Sequence, residues 1–106
     1  MAFIVKRDAV VIPAGIGVNS TNYIDIVHLP GGSLDGTYAK QDPAYWAPDG
    51  GDNKLVWSSI DSRWEFRGDN DYLWGYNNSS GQSADYIPTT GNWIGQSIET
   101  ITITVN

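Results

Sequence analysis

The chain has 106 residues and a mass of 11.6 kDa, which is enough for one domain with a single hydrophobic core. Aromatic residues make up 12% of the chain and charged residues only 17%, which is the opposite of a disordered composition. The formal net charge of -6 argues against sequence-independent binding to nucleic acid phosphates. With no cysteine and one histidine, the chain lacks the residues for disulfides, thiol nucleophiles and multi-histidine metal sites.

No stretch is apolar over the roughly 20 residues that a membrane-spanning helix needs. The first five residues are apolar, but Lys6, Arg7 and Asp8 interrupt them and no charged region precedes them. This pattern does not resemble a signal peptide. We therefore expect neither a membrane partner nor export through a signal peptide.

The first half of the chain predicts short strands, because glycine and proline punctuate runs rich in Ile, Val, Thr, Tyr and Trp. No segment keeps a helical period for three turns. In chain order, the first predicted element is one long strand or two short ones over 3–7 and 9–12. A loop over 14–21, strands over 23–29 and 37–40, and a Pro- and Gly-rich excursion over 42–53 follow. The predicted fold class is all-β, a compact antiparallel β-sandwich or small barrel.

A three-stranded antiparallel meander is predicted in the middle of the chain. Residues 55–57 and 64–66 flank a hairpin loop, and a second turn over 68–71 leads into the run 72–76. By a period of two, Trp64 and Phe66 share one face. The same period predicts that Tyr72, Trp74 and Tyr76 share a face. The meander should therefore carry aromatic side chains on one side.

The last third of the chain reads as a long surface loop over 77–91, followed by a strand over 98–105. In that strand Glu99, Ile101, Ile103 and Val105 alternate with threonines. It carries almost no charge, so as an exposed edge it would pair with another chain. We expect it either inside a sheet or paired across a subunit interface.

The five tryptophans are the strongest chemical signal, because an indole is either core bulk or a stacking surface. Trp57 and Trp64 lie in the best strand patterns and are predicted to be core. Trp46 and Trp93 lie beside loops, so two alternatives stay open for them: core, or contact with a glycan or a protein partner.

Acidic residues cluster in predicted turns, at Asp49, Asp52, Asp61, Asp69 and Asp71. Carboxylates on loops are ligands that calcium prefers, but no EF-hand spacing is present and ordinary turn chemistry is favoured. No cofactor is expected, with calcium the alternative left open.

Glu65 and a nearby aspartate would resemble the carboxylate pair of a glycosidase. The neighbouring Arg63 and Arg67 favour a cross-strand ion pair instead. His28 stands alone, with no strained nucleophile elbow, and reads as a strand histidine that pairs with a neighbour. The tripeptide 67–69 spells Arg-Gly-Asp, but these residues suit the predicted turn. No catalytic residue is predicted, and we expect the chain not to be an enzyme.

From residue 35 onward, a series of short motifs and single residues occurs in a characteristic order. They are Asp35-Gly36-Thr37-Tyr38, Tyr45, Leu55-Val56-Trp57, Arg63-Trp64-Glu65-Phe66, Tyr72-Leu73-Trp74, Pro88 and Trp93. This order resembles a small Trp-rich β module that recurs in phage virion proteins and in some large surface proteins. These motifs cover somewhat over half of the chain, and they are mostly core aromatics and turn residues. The resemblance therefore specifies a fold better than a role.

The resemblance implies a non-enzymatic virion structural or accessory protein, such as a head decoration, head-fibre or tail accessory protein. It would be made in the host cytoplasm and reside in the virion. Its partners would be capsid or tail proteins and further copies of itself, with a cell-surface glycan as the alternative and with neither nucleic acid nor membrane.

The expected organisation is one compact domain, with an N-terminal strand or arm over 1–30 and the Trp-rich β domain over 31–106. The arm supplies the candidate assembly contacts, which are Phe3, Ile4, Val5, Val10, Val11 and Ile12. Deleting residues 1–13 is expected to leave a folded core that no longer assembles.

Overall fold

The computed structural model describes residues 15–29, 34–42, 45–48, 52–89, 92–95 and 100–105. These residues form ten strands and two short 3₁₀ turns, at Val18–Ser20 and Asp69–Asp71. The strands are β1 (Gly15–Gly17), β2 (Tyr23–Leu29), β3 (Gly36–Asp42), β4 (Tyr45–Pro48), β5 (Lys54–Ser58), β6 (Arg63–Arg67), β7 (Leu73–Asn77), β8 (Tyr86–Pro88), β9 (Trp93–Gly95) and β10 (Thr100–Val105).

Eight strands form one antiparallel sheet that is nearly closed into a barrel, in the order β10-β2-β3-β4-β5-β6-β7-β9. The remaining two, β1 and β8, pair with each other as a small second sheet. The all-β prediction is confirmed. Consecutive strands are neighbours through most of the large sheet, so short turns suffice to connect them.

The best predicted elements lie where the alternating pattern was longest. β2 has the predicted bounds, and β3 contains the predicted strand over 37–40. The meander is also present, with β5 pairing β6 and β6 pairing β7, both antiparallel. Within it Trp57 lies opposite Trp64, with ring centroids 5.8 Å apart in an edge-to-face arrangement. Such pairs stabilise a sheet beyond the area they bury.

Three segments predicted as loops contain short strands instead. β1 lies in the predicted loop 14–21, β4 in the excursion 42–53, and β8 in the loop 77–91. Each has only three or four residues, too few to show a period, and each is fixed by its partner in the fold. Ile16 of β1 faces Ile87 of β8, and both side chains are buried.

A register shift in β7 overturns the prediction that Tyr72, Trp74 and Tyr76 share one face. Gly75 lies opposite Phe66 and Leu73 opposite Arg67, which leaves Trp74 as an extra residue. Trp74 packs against the core, whereas Tyr76 lies opposite Glu65 on the other face. Tyr72 precedes the strand and is 43% exposed.

The core lies on the concave side of the large sheet and is strongly aromatic. Trp46, Trp64 and Tyr38 have no exposed surface. Phe66 links two of the core aromatics, with ring centroids 4.8 Å from Trp93 and 6.5 Å from Tyr38. This core places the alternate residues of β6 on the convex side, where the charged side chains lie.

The proposed division of the chain at residue 30 passes through this sheet. β2 precedes that position and β3 follows it, and the two strands pair from Tyr23↔Ala39 to Ile26↔Gly36. Ile16 and Val18, from the predicted arm, belong to the same core cluster as the Trp-rich residues. The candidate assembly contacts over 3–12 lie outside the described residues.

Candidate functional site

The convex face of the meander carries a buried carboxylate held by two guanidinium groups. Arg63, Glu65 and Arg67 alternate along β6, so all three project from the face opposite Trp64 and Phe66. Glu65 is only 1% exposed, because the long arginine side chains cover it from both sides along the strand. We name these three residues the Arg–Glu–Arg cluster.

The geometry of the cluster satisfies both oxygens of Glu65. Arg63 donates from Nε to Oε2 at 2.8 Å, and Arg67 approaches Oε1 with Nε at 2.9 Å and Nη2 at 2.8 Å. The predicted cross-strand ion pair is therefore wrong in its placement, because the partners lie two residues away on the same strand. Residues i and i+2 are about 7 Å apart along a strand, within reach of an arginine.

The cluster extends sideways through contacts to its neighbours. The Arg63 guanidinium lies 3.7 Å from the centre of the Tyr76 ring and 3.8 Å from the Asp61 carboxylate. Arg67 donates from Nη1 to the backbone oxygen of Asp71 at 2.8 Å, and the Asp71 carboxylate is 3.0 Å from Lys54 Nζ. Three cations and three carboxylates are thus gathered on one face, and their formal charges cancel.

The exposed part of this network shifts the titration of one carboxyl. A hydrogen bond from Lys54 holds the pKa of Asp71 below its ordinary value, assisted by the charges of Lys54 and Arg67. Because Asp71 is exposed, solvent screens this interaction and it contributes little to stability.

A second feature is the end of the large sheet formed by β10. Among the described strands β10 pairs only with β2, so its other hydrogen-bonding edge lies at the end of the sheet. Among the described strands it is therefore a terminal strand and not an internal one, and pairing across a subunit interface stays a prediction. Its inward side is only partly covered, because Ile103 is 5% exposed whereas Val105 is 59% exposed.

The outward face at the β10 end exposes apolar side chains from the neighbouring strand. Val27 is 44% exposed and Leu29 and Tyr23 are each 54% exposed. Thr102 lies opposite Val27 in the ladder, so uncharged side chains of two strands adjoin there. We name this surface, made of the β10 edge with the outward residues of β2, the β10 surface.

The two loop tryptophans belong to the core. Trp46 is fully buried opposite Leu55, and Trp93 is 5% exposed against Phe66. The core alternative is therefore the one observed, and neither indole offers a face on which a sugar could stack. Both lie in strands of three or four residues, too short for a pattern to reveal their orientation.

The acidic turns do not gather into a cation site within the described residues. Asp52, Asp69 and Asp71 border one cleft of about 400 Å³, but the Lys54 ammonium borders it too. No group of three or more potential metal ligands lies together in the described part of the chain. Asp49 lies outside that part.

His28 and the Arg-Gly-Asp tripeptide both have structural surroundings. His28 is 1% exposed, and its Nδ1 accepts a hydrogen bond from the Leu34 N–H at 3.4 Å. Asp35 accepts one from the His28 backbone N–H at 2.6 Å. The tripeptide does not project as a loop, because Arg67 is bound to Glu65.

The described helical segments are three-residue turns, and none has the length or hydropathy to cross a bilayer. Comparison with family models, with curated proteins and with solved structures found no match for this chain.

Proposed function

We propose that the chain is a non-enzymatic structural or accessory component of a virion and acts by assembly through the β10 surface. The observation that carries this proposal is the uncharged strand Thr100–Val105 at the end of the sheet. Soluble proteins usually protect an edge strand with charges, proline or a covering element. Here every residue of the strand is threonine, isoleucine or valine.

Strand addition is the mode of contact that this edge suits. A partner strand would hydrogen-bond to the backbone groups of β10 that point away from β2, and the alternating side chains would fix the register. The exposed Val27 and Leu29 beside the edge would be covered by the same partner. The partner is a second copy of this chain or a capsid or tail protein.

The virion as the particle is favoured by the resemblance to the Trp-rich module of phage proteins. The net charge of -6 fits a subunit that stays soluble before assembly. The arm residues 3–12 remain a second proposed assembly contact. A glycan site at Trp46 and Trp93 is not retained, because both indoles are buried.

Co-sedimentation with particles tests this proposal. The double variant Thr102→Lys with Thr104→Lys adds two charges to exposed positions of β10. The matched control adds the same charges at Ser80 and Thr89, which are exposed and distant in sequence from the edge. Mass spectrometry of the purified particle band measures each protein's stoichiometry.

We expect the wild type and the control to sediment with particles and the β10 variant to remain in the supernatant as a folded protein. The proposal fails if the wild type stays with the free proteins, or if the β10 variant sediments at the wild-type stoichiometry.

A further inference from the structure

A groove of about 310 Å³ lies on the convex face of the meander, beside the Arg–Glu–Arg cluster. Its walls combine the polar groups of Ser58, Ser59 and Arg67 with the apolar side chains of Val56 and Ile60. This volume is near the lower end of the range of about 300–1,000 Å³ for small-molecule sites. The groove is independent of the β10 surface, because it lies over β5 and β6 in the interior of the sheet order.

The groove holds hydrogen-bond donors whose positions are fixed by the protein. A guanidinium has five N–H donors, and Arg67 uses three of them, two toward Glu65 and one toward the Asp71 backbone oxygen. Two donors remain for a ligand. Ser58 Oγ accepts the Asp61 N–H at 3.1 Å, so its own hydroxyl hydrogen is also available to donate.

Glu65 is the group that preorganises this arrangement. It is 1% exposed and contacts both arginines, so moving either guanidinium would leave one oxygen of a buried carboxylate without its partner. Donors held in this way lose little conformational entropy when a ligand arrives.

The charge balance selects the ligand class. Among the residues that line the groove, Lys54 and Arg67 are offset by Glu65 and Asp71. A cancelled local charge on a chain of net charge -6 does not favour an anion. Hydroxyl groups, which both donate and accept, match a site with fixed donors and acceptors.

The apolar part of the groove suits the C–H groups of a sugar ring, and its donors suit the hydroxyl groups. Ile60 is 92% exposed at the tip of the hairpin, and Val56 borders the same groove. Sugar rings present C–H groups on their faces, which would contact such side chains. Strand addition by an extended peptide is disfavoured over Leu55–Val56 and Glu65–Arg67, because these segments are paired on both edges.

From these observations we infer that the groove binds one neutral sugar residue. Arg67 and Ser58 donate to its hydroxyls, and Glu65 positions Arg67. This inference concerns a site separate from the assembly surface, and either proposal can fail without the other.

Nuclear magnetic resonance titration of the ¹⁵N-labelled full chain tests the site. The probes are the methyl glycosides of glucose, galactose and mannose, each added up to about 50 mM, with inorganic phosphate as the anionic comparison. We expect at least one glycoside to shift the amide signals of residues 54–67 in a saturable manner. Phosphate should leave them unchanged.

Two variants and one control locate the effect. Arg67→Lys keeps the charge but loses the planar set of donors, so affinity should fall by about tenfold. Ser58→Ala should weaken binding by a smaller factor, and it removes only an exposed hydrogen bond if Arg67→Lys does not fold. Asn19→Ala alters a cleft of similar size elsewhere, about 330 Å³, and should bind as the wild type does.

Three results would overturn the inference. The first is that no glycoside shifts the signals of the groove. The second is that phosphate binds there in preference to every glycoside. The third is that the folded variants keep wild-type affinity.

Discussion

The meander and the β10 end of the large sheet differ in how far the chain completes them with its own side chains. In the meander, β5, β6 and β7 each have a neighbouring strand on both sides, and the outward carboxylate of Glu65 is enclosed by two arginines. At the β10 end, β10 pairs with one described strand, and Val105 and Leu29 remain more than half exposed. Both regions have the same antiparallel architecture.

This difference separates two uses of a strand. In the meander, the charged side chains of Arg63, Glu65 and Arg67 hydrogen-bond within the chain. Strand β10 carries no charge that would repel a partner, and no described element covers its outer edge. On the proposed function, we expect stability to depend mainly on the meander and assembly to depend on the β10 surface. Four predictions concern the free energy of unfolding, and they run from the largest expected effect to the smallest.

The largest effect is expected from Gly95→Ala in β9, which borders the meander. A β-carbon there would overlap the Trp74 carbonyl oxygen, and Gly95 has a φ of 152°. The free energy of unfolding should fall by about 3 kcal/mol or more, because backbone atoms cannot move aside. Chemical denaturation measures it.

Gly36→Ala in β3 is the matched control, since Gly36 has the same φ of 152° but its nearest neighbour would be a Tyr38 ring atom at 3.8 Å. It should cost only about 1–2 kcal/mol, from backbone strain alone. Equal costs at the two glycines would contradict the close packing assigned to the meander side.

Glu65→Gln should give the next largest loss. It removes a buried charge and leaves two guanidinium groups facing each other, so we expect a loss of about 2–3 kcal/mol. The value is below that of a fully buried pair, because Arg63 and Arg67 keep 24% and 29% of their side-chain surface exposed.

The control is Asp25→Asn near the β10 surface, where the carboxylate accepts an exposed hydrogen bond from Thr37 at 2.7 Å. Its cost should be about 0.5–1 kcal/mol. If Asp25→Asn lowered the free energy of unfolding as much as Glu65→Gln does, the meander and the β10 end of the sheet would not differ in how much their internal polar contacts stabilise the fold.

The burial of Tyr38 predicts that the free energy of unfolding falls at alkaline pH. Burial, with a smaller contribution from Asp35, raises the pKa of this phenol well above its ordinary value of 10.0. Above pH 10.0 the unfolded chain releases this proton while the folded chain retains it, so stability falls by about 1.4 kcal/mol per pH unit.

Tyr38→Phe isolates this contribution, since it removes the titrating hydroxyl that donates to the Leu34 carbonyl oxygen at 2.9 Å. The variant should lose about 1 kcal/mol at neutral pH and should show a shallower decline above pH 10. Parallel pH profiles for the two proteins would contradict the account of Tyr38.

The smallest effect is expected from the exposed pair of Lys54 and Asp71. The pKa of Asp71 is lowered in the folded chain, so its contribution is present above the ordinary value of 3.8 and is lost as the pH falls below it. Thermal unfolding between pH 5 and pH 2 should show a slight additional decline in the wild type that Lys54→Met lacks. A large difference would mean that the outer network, and not the Arg–Glu–Arg cluster, stabilises this face.

The fold was predictable from sequence where strands are long enough to show a period. The seven-residue strand Tyr23–Leu29 and the aromatic meander are examples, because their inward residues recur at every second position. The short strands β1, β4 and β8 were missed, since pairing with distant residues determines them. The bulge at Trp74 was missed for the same reason, as it appears only in the register with β6.

The candidate sites were predictable only in part. The ion pairing of Glu65 followed from its two arginine neighbours, but its deep burial did not, because it depends on how those side chains fold over it. The uncharged sequence of β10 indicated a strand that would pair with another chain if its edge were exposed. Its position at the end of the sheet could be known only from the strand order. The burial of Trp46 could not be read from a four-residue strand.

Hydrogen–deuterium exchange on free and particle-bound protein most directly tests whether the β10 surface assembles while the meander stays unchanged. The account predicts that those amides of Thr100–Val105 that point away from β2 exchange readily in the free chain and become protected on the particle. The amides of Arg63–Arg67, in the interior of the sheet, should be protected to the same extent in both states. Unchanged exchange in β10 on the bound protein would contradict the account.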